Sequence, residues 1–443
     1  MKKSRLSYLL IMLFFVQAFA AFSSERLSVI SPHRKSIQRE FVPAFEAWYQ
    51  KKFGVKINVE WIDQGGTEND LRYIKNKFLV NPESSGMDVF WGGGDLSYED
   101  LDQAGLLQPI KLSEQLIKEV PESVAGVRTI SENKNWYATA MSSFGIFYNK
   151  YLLKALKLPE PADWKSLGRS EYLGYVSVAD PRHSSSSLTM FLTMLYSEPW
   201  DEGWKTIATM SGNAREFTLS SSEPIKDVVS GDAALATAID FYALAKIASL
   251  GKNKLGFVLP EGKTVFNADP IALLKGAPHK LAGQRFIEYI LSREAQKLLI
   301  LPKGAEGGPK WATLGRMSVN KNAWKEVRRE DLISPNPFNM SAPKFTLDYK
   351  AMAQVKTVLK DIIGAVYIDL HKPLKGAWGV VRQKGAKKEL RDLYFTPPVS
   401  EKDLNRFAQN WHDQTFRNRS LNTLLDEARK RYQKIASLPV AGL

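Results

Sequence analysis

Four short stretches combine glycine, hydroxyl and imidazole groups in a way that suits the binding of a small anion. They are Ser31 with His33, Gly65-Gly66-Thr67, Gly92-Gly93-Gly94, and the serine run 184–187. Each sits just after a strand-like apolar run, and most sit just before a helical pattern. A helix N-terminus leaves backbone N–H groups unpaired and carries a partial positive charge, so it favours an anion. Glycine lets the backbone come close to a ligand, and serine or threonine adds hydroxyl donors. Each stretch alone is also an ordinary turn or cap. Four of them at equivalent places carry more weight than the four counted singly. His33, in a strand-end loop, stays open between ligand contact and a structural hydrogen bond.

Catalytic chemistry is poorly represented. Gly262-Lys263-Thr264 copies the end of a phosphate-binding loop, but Phe257 stands where that loop needs its first glycine. No Gly-x-Ser-x-Gly elbow and no His-Glu-x-x-His helix occurs. The five histidines (33, 183, 279, 371, 412) show no metal-ligand spacing. Asp95, Glu99, Asp100 and Asp102 cluster, yet their spacing is that of acidic residues in the first turns of a helix. The sequence therefore predicts no enzyme, no cofactor and no metal centre.

The elements that must position the four stretches alternate between two periods. Residues 27–30 form a short apolar run. A helix then presents Ile37, Phe41, Phe45 and Trp48 at close to a 3.6 period. Ile57, Val59 and Trp61 alternate with polar residues, as in a half-buried strand. Leu71, Ile74 and Phe78 line one side of a second helix, and 89–91 runs as a strand straight into the glycine triplet. Farther on, 175–179, 233–239 and 257–259 read as buried strands, and 188–196 and 281–291 as helices. Ser292 caps a further helix over 293–300. Strand, tight loop and helix in repetition is the pattern of a mostly parallel sheet covered by helices. In such sheets ligands bind at the carboxyl ends of strands, where these loops converge.

From about residue 341 the pattern changes to helices over 355–363, 401–409 and 421–435, with Pro397-Pro398 as a break. Trp378, Phe395, Phe407 and Trp411 need burial, so this extension is expected to be docked.

Length and charge narrow the class. The chain has 443 residues, 44% of them hydrophobic, enough for two or three packed domains. Lys2, Lys3 and Arg5 precede an apolar run over 6–19, and Ala18 with Ala20 gives the small-x-small pattern of a signal-peptidase site. Residues 1–20 are thus expected to be a removed signal peptide, leaving an exported, periplasmic protein. The chain has no cysteine, which excludes disulfides, thiolate ligands and a lipid anchor on cysteine. The net charge of +14 is unevenly placed: +3 in 1–20, −1 in 21–300, +3 in 301–340 and +9 in 341–443. A nucleic-acid binder would line its main groove with that charge. Here it sits in the last quarter, as a solvated basic surface or one facing an acidic partner or anionic lipid.

Several stretches in order resemble the periplasmic solute-binding proteins of bacterial ABC importers, in the branch with ferric-iron, thiamine, phosphoglycerate and aminoalkylphosphonate binders. They are Ser31-Pro32-His33, WIDQGGT (61–67), DVFWGGG (88–94), GLLQP (105–109), FGIFYNK (144–150), VADPR (178–182), AIDFY (238–242), NADPIALLKGAP (267–278) and FIEYILSREAQ (286–296). The resemblance implies an α/β, two-lobed type II periplasmic binding-protein fold, here with a helical C-terminal extension. Lobe 1 would span 25–140 plus 265–340 and lobe 2 would span 141–264, with the chain crossing between them near 138–146 and 259–271. A monomer would trap a small ligand by hinge closure and hand it to the membrane permease of an importer. Carried over by position, the contacts would be Ser31, His33, Gly66, Thr67, Gly93, Ser143, Ser185, Ser186, Asp240 and Tyr242. The adjacent tyrosines typical of ferric binders are missing, so the resemblance favours a small anion, with Fe³⁺ as an alternative. A ligand sensor signalling to a membrane receptor and an exported hydrolase are further alternatives.

Overall fold

A computed structural model describes residues 24–437, apart from 346, 348–351, 353–354 and 384–385. The segment read above as a signal peptide lies outside the described residues. Among the described residues no helix is long and apolar enough to cross a membrane.

Strands β1 (Glu25–Ile30), β2 (Ile57–Ile62) and β3 (Val89–Trp91) open the chain. Short strands β4 (Leu107–Gln108), β5 (Ser123–Val124) and β6 (Val127–Arg128) precede the 14-residue β7 (Trp136–Asn149). Next come β8 (Val176–Ala179), β9 (Ala214–Thr218), β10 (Leu235–Ile239) and β11 (Leu255–Val258). β12 (Phe266–Leu274) and β13 (Met317–Ser318) return to the first half. The main path of the sheet runs β2-β1-β3-β12-β7-β10-β8-β9.

Two units emerge from that order. β1 pairs in parallel with β2 and β3, and β12 runs antiparallel to β3. β10 pairs in parallel with β8, and β8 with β9. β7 joins them: its first part pairs with β12 and β13, its last part with β10 and β11. The pairing of β7 and β12 is antiparallel, from Phe266↔Ser143 to Ala272↔Trp136, with a register shift between Asp269 and Pro270. Of the two stretches expected to cross between halves, residues 266–270 of the second pair with residues 138–143 of the first.

The local chemistry explains the elements. All five residues of β10 are buried, as for a strand covered on both faces. The helix Lys35–Phe53 buries Ile37, Phe41, Phe45 and Tyr49, while Trp48 lies beside that stripe and is half-buried. Ser292 does cap the helix Arg293–Ile300, its hydroxyl accepting from the Ala295 N–H at 3.3 Å.

The extension is docked, and its core is continuous with that of the second half. Leu192, Leu195, Trp204 and Met210 pack with Ile362, Val366, Tyr367, Trp378, Tyr394 and Tyr432 in one cluster. Trp204 and Tyr367 stack at 6.0 Å, and Trp378 and Tyr394 at 5.5 Å. Trp378 Nε1 donates to Asn213 Oδ1 at 2.6 Å, and Tyr394 OH donates to the Ala208 carbonyl at 3.0 Å. Gly212 makes room for this, since a Cβ there would lie 2.6 Å from the Trp378 ring. The helices Trp200–Asn213, Glu223–Ser230 and Lys388–Tyr394, and the π turn Gly364–Ile368, have no counterpart in the sequence expectations.

If the extension is part of this core, Trp378→Ala should cost about 3–5 kcal/mol, the usual cost of emptying a buried tryptophan site. Urea unfolding followed by circular dichroism would read this as a lower midpoint at unchanged slope. A loss below about 1 kcal/mol would mean that the extension packs only superficially.

Candidate functional site

The edge of the first half is assembled around one carboxylate. Asp269 sits on β12 at the register shift and is almost fully buried. It accepts from His33 Nε2 at 2.8 Å and from the Gly93 N–H at 3.1 Å, and it pairs with Arg316 Nη1. Burial works against its charge, but the neighbouring His33 and Arg316 outweigh burial and hold its carboxyl below the usual carboxylate range. His33 also stands edge-on to Trp91 at 4.9 Å, and its Nδ1 is buried with no hydrogen-bond partner among the described residues.

The glycine triplet is what allows this closeness. Gly92 and Gly93 have φ of 97° and 99°, a region costly for residues with a Cβ. A Cβ on Gly92 would lie 2.6 Å from the His33 ring, and one on Gly93 would lie 2.5 Å from Thr67 Cγ2. Ser31 is fully buried, and its Oγ accepts from the His33 N–H at 3.2 Å. Gly66 is the N-cap of the helix Thr67–Val80, with φ 125°.

The facing edge belongs to the second half. β10 ends where the helix Asp240–Leu250 begins. Asp240 is fully buried; its Oδ1 accepts from the Phe241 N–H at 2.7 Å and its Oδ2 has no partner among the described residues. Burial pushes its carboxyl up to about 8, against the pull of backbone N–H groups at Phe241 and Ser143. Ser143 Oγ, on β7, donates to the Val265 carbonyl at 2.8 Å. The rings of Phe241 and Tyr242 meet at 4.4 Å in an edge-to-face pair.

Two arginines of the first half lie over these rings. The guanidinium carbon of Arg34 is 4.1 Å from the Tyr242 centroid, and that of Arg316 is 4.3 Å from the Phe241 centroid. The Gly315 backbone also packs against the Phe241 carbonyl, 3.2 Å from where a Cβ would stand. The two halves therefore touch through two cation–π contacts, each well inside the roughly 6 Å reach of that interaction.

The structure thus brings Ser31, His33, Thr67 and Gly93 into one cluster, with Gly66 at the adjoining helix cap. It places Ser143 and Asp240 next to the Phe144↔Ile239 pair of β7 and β10, and it sets Tyr242 against the residue that follows His33. It does not draw in the serine run. Ser184 caps the helix Ser185–Tyr196, Ser185 is exposed, Ser186 is half-buried, and no hydrogen bond of the cluster reaches them. Their loop is organised instead by Arg182, which pairs with Asp180 at 2.8 Å and with Asp369 of the extension at 2.9 Å. Asp269, Arg316, Arg34 and Phe241 are absent from the sequence-derived contacts. Arg34 adjoins His33 in the same loop and Asp269 lies within NADPIALLKGAP, so both carried a local signal. Arg316 follows an irregular stretch and carried none. Among the described residues no group of three or more His, Cys, Asp or Glu side chains could hold a metal ion.

Comparison with known proteins bears on the family and the fold. Residues 85–303 match the family described as bacterial extracellular solute-binding protein. The phosphoglycerate transport regulatory protein PgtC of Salmonella typhimurium is 31% identical over 162 residues, 37% of this chain and 40% of PgtC. The chain's match thus spans less than half of that relative. Iron uptake protein A1 of Synechocystis is 24% identical over 309 residues, 67% of this chain and 78% of that protein. Among solved structures, periplasmic binding protein AfuA of Actinobacillus pleuropneumoniae, with exogenous fructose-6-phosphate bound, superposes with a TM-score of 0.55. It shares 18% identity and covers 80% of this chain and 98% of its own. Iron-bound HitA of Pseudomonas aeruginosa gives 0.55 at 16% identity, covering 77% of this chain and 99% of its own. At such identities the likeness shows the fold, which is that of the type II periplasmic binding proteins. All four relatives are named for binding or transport, not for catalysis.

The buried Asp240 makes a pH prediction. Its carboxyl titrates higher in the folded chain than in the unfolded one, so the folded state holds the extra proton between about pH 4 and pH 8. That stabilisation is complete below the unfolded value and is lost as pH rises through about 8. Asp240→Asn, which keeps the shape and removes the titration, should flatten the decline in stability over this window. Denaturant midpoints should match the wild type near pH 4 and exceed it at pH 9, since each tenfold displacement of a proton equilibrium is worth about 1.4 kcal/mol. Parallel profiles at both pH values would contradict the assignment.

Proposed function

Because residues 85–303 belong to the bacterial extracellular solute-binding proteins, we propose that this chain is an exported periplasmic receptor for a small anionic compound. It holds the compound between a first lobe over 25–140 and 265–340 and a second over 141–264, then delivers it as a monomer to the permease of an ABC importer. The observation that carries the anion reading is Arg34. It is exposed at the edge where the halves meet, and among the described residues no carboxylate lies within ion-pair distance of it. Beside it, the helix N-terminus at Gly66 and Thr67 adds backbone donors of the kind that suit phosphate and carboxylate oxygens.

Named relatives bind either class of cargo: AfuA is described with fructose-6-phosphate and HitA with iron. Fe³⁺ needs hard anionic oxygens. Here Asp269 is committed to Arg316 and His33, and the Tyr242 ring lies beneath a guanidinium. A fixed positive charge there opposes a trivalent cation and attracts an anion.

Calorimetry against phosphate monoesters, phosphonates, carboxylates and Fe³⁺ tests this reading. An anion should bind, and Arg34→Ala should weaken it about ten- to a hundredfold, the value of one charge-assisted hydrogen bond or ion pair. Because Arg34 is exposed, the melting temperature of the variant should stay within about 2 °C of the wild type. Binding of Fe³⁺ alone, or anion affinity unaffected by Arg34→Ala, would overturn the proposal.

A further inference from the structure

The two arginines that meet the second half are held very differently. Arg316 is mostly buried and is locked in an ion pair with Asp269, so its guanidinium has a fixed place. It positions Phe241 and, with Gly315, seats the start of the helix Asp240–Leu250 against the first half. Arg34 has no such anchor. It ends the strand-end loop as the N-cap of the helix Lys35–Phe53, its side chain makes no cap hydrogen bond, and among the described residues its guanidinium rests on the face of Tyr242 alone. A guanidinium over a phenol ring gains a modest electrostatic attraction that a full negative charge at hydrogen-bond distance outcompetes. The contact therefore joins the two halves at one point while leaving the cation open to another partner.

We propose that Arg34 has two alternating partners: the Tyr242 ring, which keeps the unliganded protein closed, and an anionic oxygen of the ligand, which draws Arg34 off that ring. The first partner stands on the geometry alone; the second rests on the anion reading above. A closed resting state also has a kinetic consequence. Ligand enters only after the Arg34–Tyr242 contact breaks, so entry is gated by a hinge opening that the ligand does not induce. Part of any ligand's binding free energy then goes into replacing that contact.

Two measurements separate the parts. The chain has no cysteine, so Lys51→Cys and Lys226→Cys, both exposed and one in each half, place a unique pair of spin labels. Without ligand the parent pair should give a single short distance, and adding Arg34→Gln should shift or broaden it toward longer distances. Arg34 is exposed, so this change does not threaten folding, and a circular dichroism melt on the same sample confirms that. Identical distance distributions for parent and Arg34→Gln overturn the role given to the Arg34–Tyr242 contact in holding the resting state. The second measurement is titration with inorganic phosphate of the wild type and of Tyr242→Leu, which keeps an apolar side chain and removes the π face. Freeing Arg34 should tighten phosphate binding about two- to fivefold. Unchanged or weaker binding overturns the exchange of partners. If phosphate binds neither protein, the exchange of partners is overturned, while the calorimetric panel decides the anion reading and the label distances decide the role of Arg34 in the resting state.

Discussion

A buried carboxylate charge at Asp269 is the constraint on which the rest of the site depends. An ionised group with so little access to water survives only when opposite charge and hydrogen bonds replace its hydration, and deleting one partner of such a set generally costs about 3–5 kcal/mol. Asp269 draws its compensation from three distant parts of the chain: His33 after β1, the Gly93 N–H after β3, and Arg316 ahead of β13. Meeting that demand brings the loops together, and positions 92 and 93 call for glycine on two counts: their φ is positive, and any side chain there would strike His33 or Thr67. The same demand reaches across the molecule. Fixing Arg316 fixes what Phe241 can pack against, so the start of a helix in the second half is placed by a carboxylate in the first.

The connection between halves has a complementary logic. β7 belongs to both pairing networks, and β12 lies along its first part in an antiparallel ladder. Two paired strands thus form the narrow ribbon through which the two pairing networks are joined. The register shift at Asp269 falls within this ribbon. Such irregularities re-aim side chains next to functional sites, and here the re-aimed group is the carboxylate that organises the edge.

What was legible in the sequence follows from how local each signal is. The 3.6-residue stripe from Ile37 to Phe45, the alternation of β2, the glycine triplet and the Ser292 cap are written within a few residues of where they act, and all four appear in the structure. The helix Trp200–Asn213 was not legible, because Gly203 and Gly212 interrupt its pattern. Both glycines answer to tertiary contacts: a Cβ on Gly203 would lie 2.3 Å from the Leu195 carbonyl, and Gly212 faces Trp378 of the extension. Arg316 illustrates the same limit at the site. Nothing in its neighbourhood of sequence marks it, since its role is set by Asp269, 47 residues earlier, and by Phe241 in the other half. Ser185 and Ser186 stand apart from the Asp269 cluster: the turn before them is organised by Arg182 and its two carboxylates.

That loop also changes how the basic extension should be understood. A charge of +9 over 341–443 suggests a loose cationic tail when read as composition. In the structure the segment carries buried aromatics that complete the core of the second half, and some of its charge is used internally, as in the pair Arg417 with Asp361 at 3.0 Å. Through Asp369 it grips Arg182, and a Cβ on Gly364 would press to within 2.5 Å of that arginine's Cδ. The π turn from Gly364 to Ile368 brings these two groups together, in keeping with the tendency of such turns to sit where a helix meets a functional element. The extension is therefore a structural member of the second half that reaches the strand ends on the side of β10 away from Tyr242. Arg182 is paired there with two carboxylates, whereas Arg34, at the seam between the halves, has no carboxylate partner among the described residues.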